Sequence, residues 1–152
     1  MTPDERLEEL GLTLPAVVPP VAAYVPAVRT GDLVYTSGQL PMVEGKMPQT
    51  GKVGAEVTVE EARELAKICA LNGLAALKSQ VGDLARIRRI VKVTVFVASH
   101  PDFLDQALVG NGASELLGTV LGDAGKHARS AVGVAVLPLG ASVEVELIAE
   151  VS

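Results

Sequence analysis

Three charged side chains stand out in an otherwise small or apolar run, Ala128–Glu146, near the end of the sequence. Arg129 opens the stretch, and Glu144 and Glu146 lie in its second half, among small or apolar residues. A guanidinium grips a carboxylate through two parallel hydrogen bonds. A carboxylate in apolar surroundings has a pKa that can be tuned for proton transfer. These residue types therefore predict a small anionic substrate and acid–base chemistry.

The stretch that carries these residues, Ala128–Val151, is predicted to be a β-hairpin. Two alternating β-branched runs flank a turn at Leu137–Ala141, where proline and glycine interrupt regular pairing. In such a hairpin Glu144 pairs near Val134, which leaves Arg129 about five residues, or roughly 17 Å, along the strand. Unless the first strand is bent, Arg129 and Glu144 of one chain should not meet at one small ligand. We therefore expect a site that is shared between chains.

Two long helices are predicted in the middle of the chain. Thr58–Glu61 has the signature of a capping box, and the helix that it begins should run to about Gln80. A second helix should span 101–122, with a kink at Gly110–Gly112. Each glycine costs a helix interior about 1 kcal/mol relative to alanine. Asn111 between them is therefore a candidate functional residue, and a plain helix break is the alternative.

Strand patterns surround these helices. Tyr24–Arg29 and Leu33–Gln39 predict a hairpin around a glycine-containing turn, and Val91–Val97 alternates as a single strand. The order is β-β-α-β-α-β-β, which predicts an α+β fold with one mixed sheet and two helices on one face. The strands are apolar on both faces, as in Ala131–Val136. We therefore expect the second face to be buried against other copies of the chain.

Length and composition limit the remaining possibilities. The 152 residues predict a single domain, 1–152, in which 1–20 form a short helix at Pro3–Leu10 and a proline-interrupted arm. The net charge of −5 and the scattered basic residues argue against nucleic-acid binding. With two histidines and one cysteine, Cys69, which is predicted to be buried and inert, no metal site is expected.

The sequence also lacks features of membrane or secreted proteins. It begins with acidic residues rather than a basic and then apolar leader, and no apolar run approaches the roughly 20 residues that span a bilayer. A soluble, cytoplasmic protein is expected.

Three motifs resemble those of the YjgF/RidA family of small reactive-intermediate deaminases, whose members are also labelled YER-type endoribonucleases L-PSP or translation initiation inhibitors. The motifs occur in the family's order, and the resemblance runs from about Tyr24 to Glu150. The motifs are Ala128–Val132 with Leu137–Pro138 and Val143–Glu146, Leu33–Pro41, and Val93–Val97 with Asp102–Phe103.

This resemblance implies a chorismate-mutase-like fold that assembles as a homotrimer, with sites in the clefts between subunits. It also implies cofactor-independent hydrolysis of 2-imino and enamine acids, such as 2-aminoacrylate, to 2-keto acids and ammonia. By position, Arg129 matches the clamp for the substrate carboxylate, and Glu144 matches the residue that orients or activates the attacking water. The matching substrate-binding positions are Tyr24, Ser37, Gly38, Ala131 and, more loosely, Asn111.

The chain also departs from the family pattern. Residues 1–20 and the loop at 41–56 are longer than in the compact family core. Gly133 stands where relatives often carry an acidic residue, and Leu116 and Leu117 replace aromatic residues that are common in the second helix. These departures leave the natural substrate open.

Two other functions stay open. A trimeric sensor of keto acids would use the clamp without turnover, but a pure carboxylate binder has no need of Glu144. A ribonuclease or translation-inhibitor role is disfavoured by the net charge of −5. Each candidate also has a structural alternative: Arg129 as a salt-bridged strand end, Glu144 and Glu146 as solvated carboxylates, Tyr24 as a hairpin anchor, Ser37 as a strand-end cap, and His127 as a loop residue rather than a base.

Overall fold

Five strands form one mixed sheet in the order β1-β2-β5-β3-β4, in a computed structural model that describes residues 1–17 and 23–152. Strands β3 and β4 are parallel, and all other neighbours are antiparallel. The predicted α+β class, mixed sheet and element order are therefore confirmed, as is the short N-terminal helix predicted at Pro3–Leu10. The elements are α1 Pro3–Glu9, β1 Ala27–Thr30, β2 Leu33–Thr36, α2 Val59–Val81, β3 Ile87–Ala98, α3 Gln106–Leu121, β4 Ala128–Val134 and β5 Val143–Val151.

Helix α2 begins at the predicted capping box. The Glu61 backbone N–H donates to Thr58 Oγ1 (3.2 Å), and the Thr58 backbone N–H donates to Glu61 Oε1 (3.0 Å). The bond from the Thr58 backbone is the main reason that the pKa of Glu61 is lowered. Further along α2, a Cβ on Gly73 would lie only 2.7 Å from Leu147 Cδ1 on β5. The small side chains of α2 therefore let it pack closely on the sheet.

Helix α3 is continuous from Gln106 to Leu121, so the predicted start at Pro101 and the predicted kink at Gly110–Gly112 are wrong. The N-cap is Asp105, and its side chain makes no capping hydrogen bond. The glycines serve close packing instead, since a Cβ on Gly112 would overlap the backbone carbonyl of Arg63 on α2. A cost in helix propensity is thus accepted where two helices meet.

Strands β4 and β5 do not form the predicted hairpin, because β3 lies between them. Val95 of β3 pairs with Ala131 of β4 on one side and with Val145 of β5 on the other. Helix α3 supplies the crossover that makes β3 and β4 parallel. The chain from 135 to 142 then crosses the end of β3, where the Ala98 backbone N–H donates to the Ser142 carbonyl (2.9 Å). Alternation identified both strands but not their neighbours.

Helices α2 and α3 cover one face of the sheet, as predicted, and α1 packs beside α3. Arg6 Nη1 of α1 donates to the carbonyl of Val120 (3.1 Å). The other face is uncovered in the single chain, and three of its apolar side chains are exposed: Val28 (53%), Tyr35 (43%) and Val132 (43%). Its burial against other copies stays a prediction.

The loop at 41–56, whose shape the sequence did not specify, is held against the end of the sheet. The Val53 backbone N–H donates to the Ala98 carbonyl (2.8 Å), and Ser142 Oγ donates to the Gly51 carbonyl (2.6 Å). Residues 12–17 of the predicted N-terminal arm form no regular element, and 18–20 lie outside the described residues. Within 1–17 and 23–152, no helix has both the length and the apolar composition needed to cross a membrane.

Candidate functional site

Arg129 lies on β4 and points toward the helix-covered face of the sheet. It pairs with Val93, which pairs in turn with Leu147, and both of these side chains are buried beneath the helices. Arg129 Nη1 donates to Asn111 Oδ1 (2.9 Å) and to Ser114 Oγ (3.1 Å) on α3. Two side chains of α3 therefore fix the guanidinium. Arg129 forms no salt bridge with the residues that the structure describes, so its alternative interpretation as a salt-bridged strand end is wrong.

Two small residues make room for this guanidinium. A Cβ on Gly110 would lie 3.2 Å from Arg129 Nη1 and 3.4 Å from the Ala131 Cβ. Ala131 is thus on the same face as Arg129, two residues further along β4. Arg129, Asn111 and Ala131 form one cluster, which we call the arginine cluster, and Gly110 lies directly over it.

Glu144 lies on the opposite, uncovered face of the sheet. It pairs with Phe96, which pairs with Val132, and each of these three side chains is at least partly exposed. A Cβ on Gly38 would overlap Glu144 Oε1, so the carboxylate lies directly against the backbone of Gly38. Only a glycine leaves space for it there.

The environment of Glu144 favours its neutral form. Partial burial raises the pKa of Glu144 above its ordinary value, and the nearby charge of Glu146 raises it further. In the part of the chain that the structure describes, no Lys, Arg or His nitrogen lies within 4.0 Å of either carboxylate. Glu144 is therefore an unpaired acid whose pKa is shifted toward neutrality, as a general acid–base group requires.

An irregularity in the sheet presents Gly38 to Glu144. Tyr35 pairs with Ile148, and Gln39 pairs with Val145. Three residues separate Tyr35 from Gln39, whereas two separate Val145 from Ile148, so the segment that follows β2 contains one extra residue. The extra residue displaces the Leu147 backbone N–H from its regular partner, and Thr36 Oγ1 accepts from it instead (3.0 Å). Sequence reasoning missed Thr36, although a hydroxyl before Ser37-Gly38 at a strand end was a usable signal.

Ser37 precedes Gly38, and its hydrogen bonds hold the segment that contains Tyr24 beside this strand end. Ser37 Oγ donates to the Val25 carbonyl (2.6 Å), and the Ser37 backbone N–H donates to the Pro26 carbonyl (2.8 Å). Ser37 thus caps the strand end locally, while its hydroxyl oxygen can still accept a hydrogen bond. Tyr24 is 61% exposed. Ser37, Gly38 and Glu144 form what we call the glutamate cluster, and Tyr24 belongs to the segment that Ser37 anchors next to it.

The two clusters do not meet within one chain. Arg129 is in the sheet row of Val93, and Glu144 is in the row of Phe96, three residues away along β3 and therefore on the other face. The expectation that Arg129 and Glu144 of one chain stay apart is confirmed. Its physical reason differs from the predicted one, because the sheet itself separates them rather than a hairpin register.

The arginine cluster has two further polar partners: Ser114, which sequence reasoning did not identify, and His127, which it interpreted as a loop residue. Ser114 Oγ lies 2.8 Å from His127 Nε2, and His127 Nδ1 lies 2.6 Å from the Gly125 carbonyl. The usable signal was helical phase, since Ser114 follows Asn111 by three residues and so shares its face of α3.

The positions that depart from the family pattern have clear structural roles. A Cβ on Gly133 would lie 2.9 Å from Gln106 Nε2, so the amide of Gln106 occupies the space that a side chain at this position would enter. Leu116 (5% exposed) and Leu117 (0%) are part of the hydrophobic core.

Neither a thiol nor a metal cluster adds to these groups. Burial raises the pKa of the Cys69 thiol well above its ordinary value, and the charge of Glu144 adds to this effect. The thiol donates to the Val143 carbonyl (3.6 Å), so Cys69 is the buried, inert thiol that was predicted. Within residues 1–17 and 23–152, no group of three or more His, Cys, Asp or Glu side chains could hold a metal ion.

Comparison with known proteins gives relatives along nearly the whole chain. "Protein TCP17" of Trypanosoma cruzi is 45% identical over 148 residues, which are 97% of this chain and 92% of that protein. The 2-iminobutanoate/2-iminopropanoate deaminase of Escherichia coli K12 is 39% identical over 135 residues, which are 89% of this chain and 90% of the enzyme.

Solved structures with the same fold also match over nearly the whole chain. Atu1372 of Agrobacterium tumefaciens, a protein of unknown function, superimposes with a TM-score of 0.93 at 52% identity, over 99% of this chain and 92% of that one. E. coli TdcF with bound serine gives 0.67 at 26% identity, over 92% and 96%. The profile of the family described as "YjgF/chorismate mutase-like, putative endoribonuclease" matches residues 4–151. The chain therefore belongs to the YjgF/chorismate-mutase-like family.

Proposed function

We propose that this protein hydrolyses reactive 2-imino and enamine acids of the 2-aminoacrylate type to 2-keto acids and ammonia. The observation that carries the proposal is the pair of groups on opposite faces of the sheet. One is a guanidinium fixed by Asn111 and Ser114, and the other is Glu144, an unpaired carboxylate with a raised pKa. The E. coli relative named as a 2-iminobutanoate/2-iminopropanoate deaminase supports this choice of substrate.

The proposed site is shared between two copies of the chain. Arg129 of one copy holds the substrate carboxylate, and Glu144 of the next copy faces the reacting carbon. Tyr24, Ser37 and Gly38 line the pocket beside Glu144, while Asn111 and Ala131 line it beside Arg129. We propose a homotrimer, in which the exposed apolar residues of the uncovered face contact neighbouring copies and each cleft contains one arginine cluster and one glutamate cluster.

Glu144 transfers protons in this mechanism, and water is the only co-reactant. An enamine substrate first takes a proton from solvent at C3, which gives the protonated imine. The carboxylate accepts a proton from water as the water oxygen bonds to C2 of this protonated imine. Glu144 then gives this proton to the nitrogen. The C2–N bond breaks with its electron pair going to nitrogen, and the hydroxyl proton passes to the Glu144 carboxylate and then to solvent as the keto group forms. A pKa nearer to neutrality suits Glu144 to both steps.

Arg129 contributes orientation and charge. Two parallel hydrogen bonds to the carboxylate fix the plane of the conjugated imine, which places C2 in front of the attacking water. This mechanism uses no cofactor, and the net charge of −5 gives no reason to propose a nucleic-acid substrate.

Turnover of 2-aminoacrylate tests the proposal. A serine dehydratase generates the enamine in the cuvette, and keto-acid release is followed with and without the protein. The wild-type protein should accelerate release, whereas Arg129→Ala and Glu144→Gln should not. Arg88→Ala and Glu150→Gln are matched controls, because Arg88 is exposed on β3 and Glu150 makes only a surface ion pair with Arg89 (3.4 Å). Absence of acceleration by the wild-type protein contradicts the proposal.

A second candidate is a trimeric binder or sensor of small carboxylate metabolites that lacks turnover. The structure of TdcF with bound serine favours it, since that relative holds a small carboxylate ligand. A binder depends on the arginine cluster alone. It would therefore bind pyruvate equally well as wild type and as Glu144→Gln, without accelerating keto-acid release.

A further inference from the structure

Arg129 is held by a chain of hydrogen bonds that continues beyond α3 to the turn before β4. Resting on the proposed function, we infer that Ser114 and His127 are positioning residues. They orient the Arg129 guanidinium so that its Nε and Nη2 atoms bind the substrate carboxylate. Neither residue is needed to transfer a proton in the reaction.

The direction of each hydrogen bond in this series follows from its last acceptor, the Gly125 carbonyl. The Gly125 carbonyl can only accept, so His127 Nδ1, 2.6 Å away, must donate to it. In the neutral ring Nε2 is then an acceptor, and Ser114 Oγ, 2.8 Å away, donates its single proton there. The lone pairs of Ser114 Oγ are thereby left for Arg129 Nη1, which donates to them over 3.1 Å.

This arrangement uses both hydrogens of Arg129 Nη1. One goes to Ser114 Oγ (3.1 Å) and the other to Asn111 Oδ1 (2.9 Å). A guanidinium has five N–H donors, so the Nε–H and the two Nη2–H remain. Nε and Nη2 form one edge of the fork, and a carboxylate can bind side-on there through two parallel bonds. The end-on mode, in which Nη1 and Nη2 both donate to the carboxylate, is excluded because both hydrogens of Nη1 are already used.

The anchor at Gly125 is fixed by packing. A Cβ on Gly125 would overlap the Leu117 carbonyl of α3, so the turn at 122–125 lies directly against that helix. The Gly125 carbonyl consequently has a fixed position relative to Ser114, which lies on α3 one turn before Leu117. His127 bridges the two and leads directly into β4, two residues before Arg129.

Kinetics with Ser114→Ala tests the positioning role. Ser114→Ala loosens Arg129 in the free protein, and the bound carboxylate then orders its Nε and Nη2 atoms again at a cost to binding. The loss should therefore appear mainly as a roughly tenfold rise in KM for 2-aminoacrylate, with kcat within about twofold. Ser114→Thr keeps the hydroxyl and should restore most of the affinity. In an Arg129→Lys background, Ser114→Ala should have little further effect. A fall in kcat at unchanged KM, or an equal loss in the Arg129→Lys background, overturns the inference.

Nitrogen NMR on the resting protein gives a readout that needs no turnover. The wild-type protein should show His127 with its proton on Nδ1 and slow rotation of the Arg129 guanidinium. Ser114→Ala should accelerate that rotation and shift the His127 Nε2 resonance, whereas Thr119→Ala, an exposed hydroxyl change on the same helix, should alter neither. A proton on Nε2 alone, or unchanged rotation in Ser114→Ala, contradicts the inference. If the wild type fails to turn over 2-aminoacrylate, the proposed function fails and the spectra still decide the role of Ser114 and His127.

Discussion

Gly110 of α3 lies directly over the guanidinium of Arg129, and we predict that Gly110→Ala reduces activity without destabilising the fold. The new Cβ would lie 3.2 Å from Arg129 Nη1 and 3.4 Å from the Ala131 Cβ. Relaxed contacts of this kind need about 3.5–4.0 Å. The guanidinium, as the more mobile partner, must therefore retreat by roughly 0.3–0.8 Å.

This displacement acts on the two hydrogen bonds that hold Arg129. They are 2.9 Å to Asn111 and 3.1 Å to Ser114, so a retreat of that size stretches or breaks one of them. Misplacing a reacting group by about 1 Å can cost roughly a hundredfold in rate. We therefore expect kcat/KM to fall by about tenfold. Stability should change little, because alanine gains about 1 kcal/mol of helix propensity, which offsets the crowding.

Two other glycines of α3 provide matched controls. A Cβ on Gly118 would have no neighbour within 4 Å, so Gly118→Ala should raise Tm by roughly 2–4 °C at unchanged activity. A Cβ on Gly112 would overlap the backbone carbonyl of Arg63. Gly112→Ala should therefore destabilise the protein by about 1–3 kcal/mol by forcing α2 and α3 apart.

Thermal unfolding and the 2-aminoacrylate assay on the three variants distinguish these effects. Full activity in Gly110→Ala would refute the claim that Gly110 makes room for the arginine clamp. A large loss of Tm in Gly110→Ala would show that Gly110 serves packing, as Gly112 does.

Two further predictions concern Glu144 and the strand pairing that presents Gly38 to it. Because the pKa of Glu144 is raised in the folded chain, ionised Glu144 destabilises the fold. Glu144→Gln should therefore increase the free energy of unfolding near neutral pH, and urea titrations should show this gain shrinking as the pH falls through the folded pKa; a gain that grows toward acid pH contradicts it. Thr36→Val leaves the buried Leu147 N–H without its partner. It should lower the free energy of unfolding in urea by about 1–3 kcal/mol. Thr36→Ser keeps the hydroxyl, so an equal loss of stability in that variant would mean that the hydroxyl does not matter.

Local signals predicted much of the fold because local physics determines those parts. The Thr58–Glu61 capping box marked the start of α2, and two apolar runs around Thr30–Asp32 marked the first hairpin. The order of strands was not predictable in the same way. Alternation in Ala128–Val134 and Val143–Val151 shows that both segments are strands, but it carries no information on which strand lies between them.

The candidate site was predictable at the level of residues but not of contacts. The amide of Asn111 between two helical glycines suggested a role beyond stability, and the structure pairs it with Arg129. The glycines themselves were misread as a kink, because a close approach to another element is a tertiary property that helix propensity cannot express. His127 lies in the loop before β4, as predicted, but its hydrogen bond to Ser114 was not predictable, because Ser114 belongs to another element.

The central claim is that Arg129 and Glu144 act together across two copies of the chain, and mixing inactive variants tests it most directly. Arg129→Ala and Glu144→Gln chains are unfolded together in equal amounts and refolded. A trimer with one site per cleft then regains both residues in about one quarter of its clefts, so about one quarter of wild-type activity should return.

Wild-type chains mixed in the same way with the double variant provide the control. A shared site predicts about one quarter of wild-type activity for this mixture as well, whereas a site within one chain predicts about one half. Recovery of about one quarter in both mixtures is the result that the account predicts. No recovery in the mixture of single variants, together with about one half in the control, would contradict it.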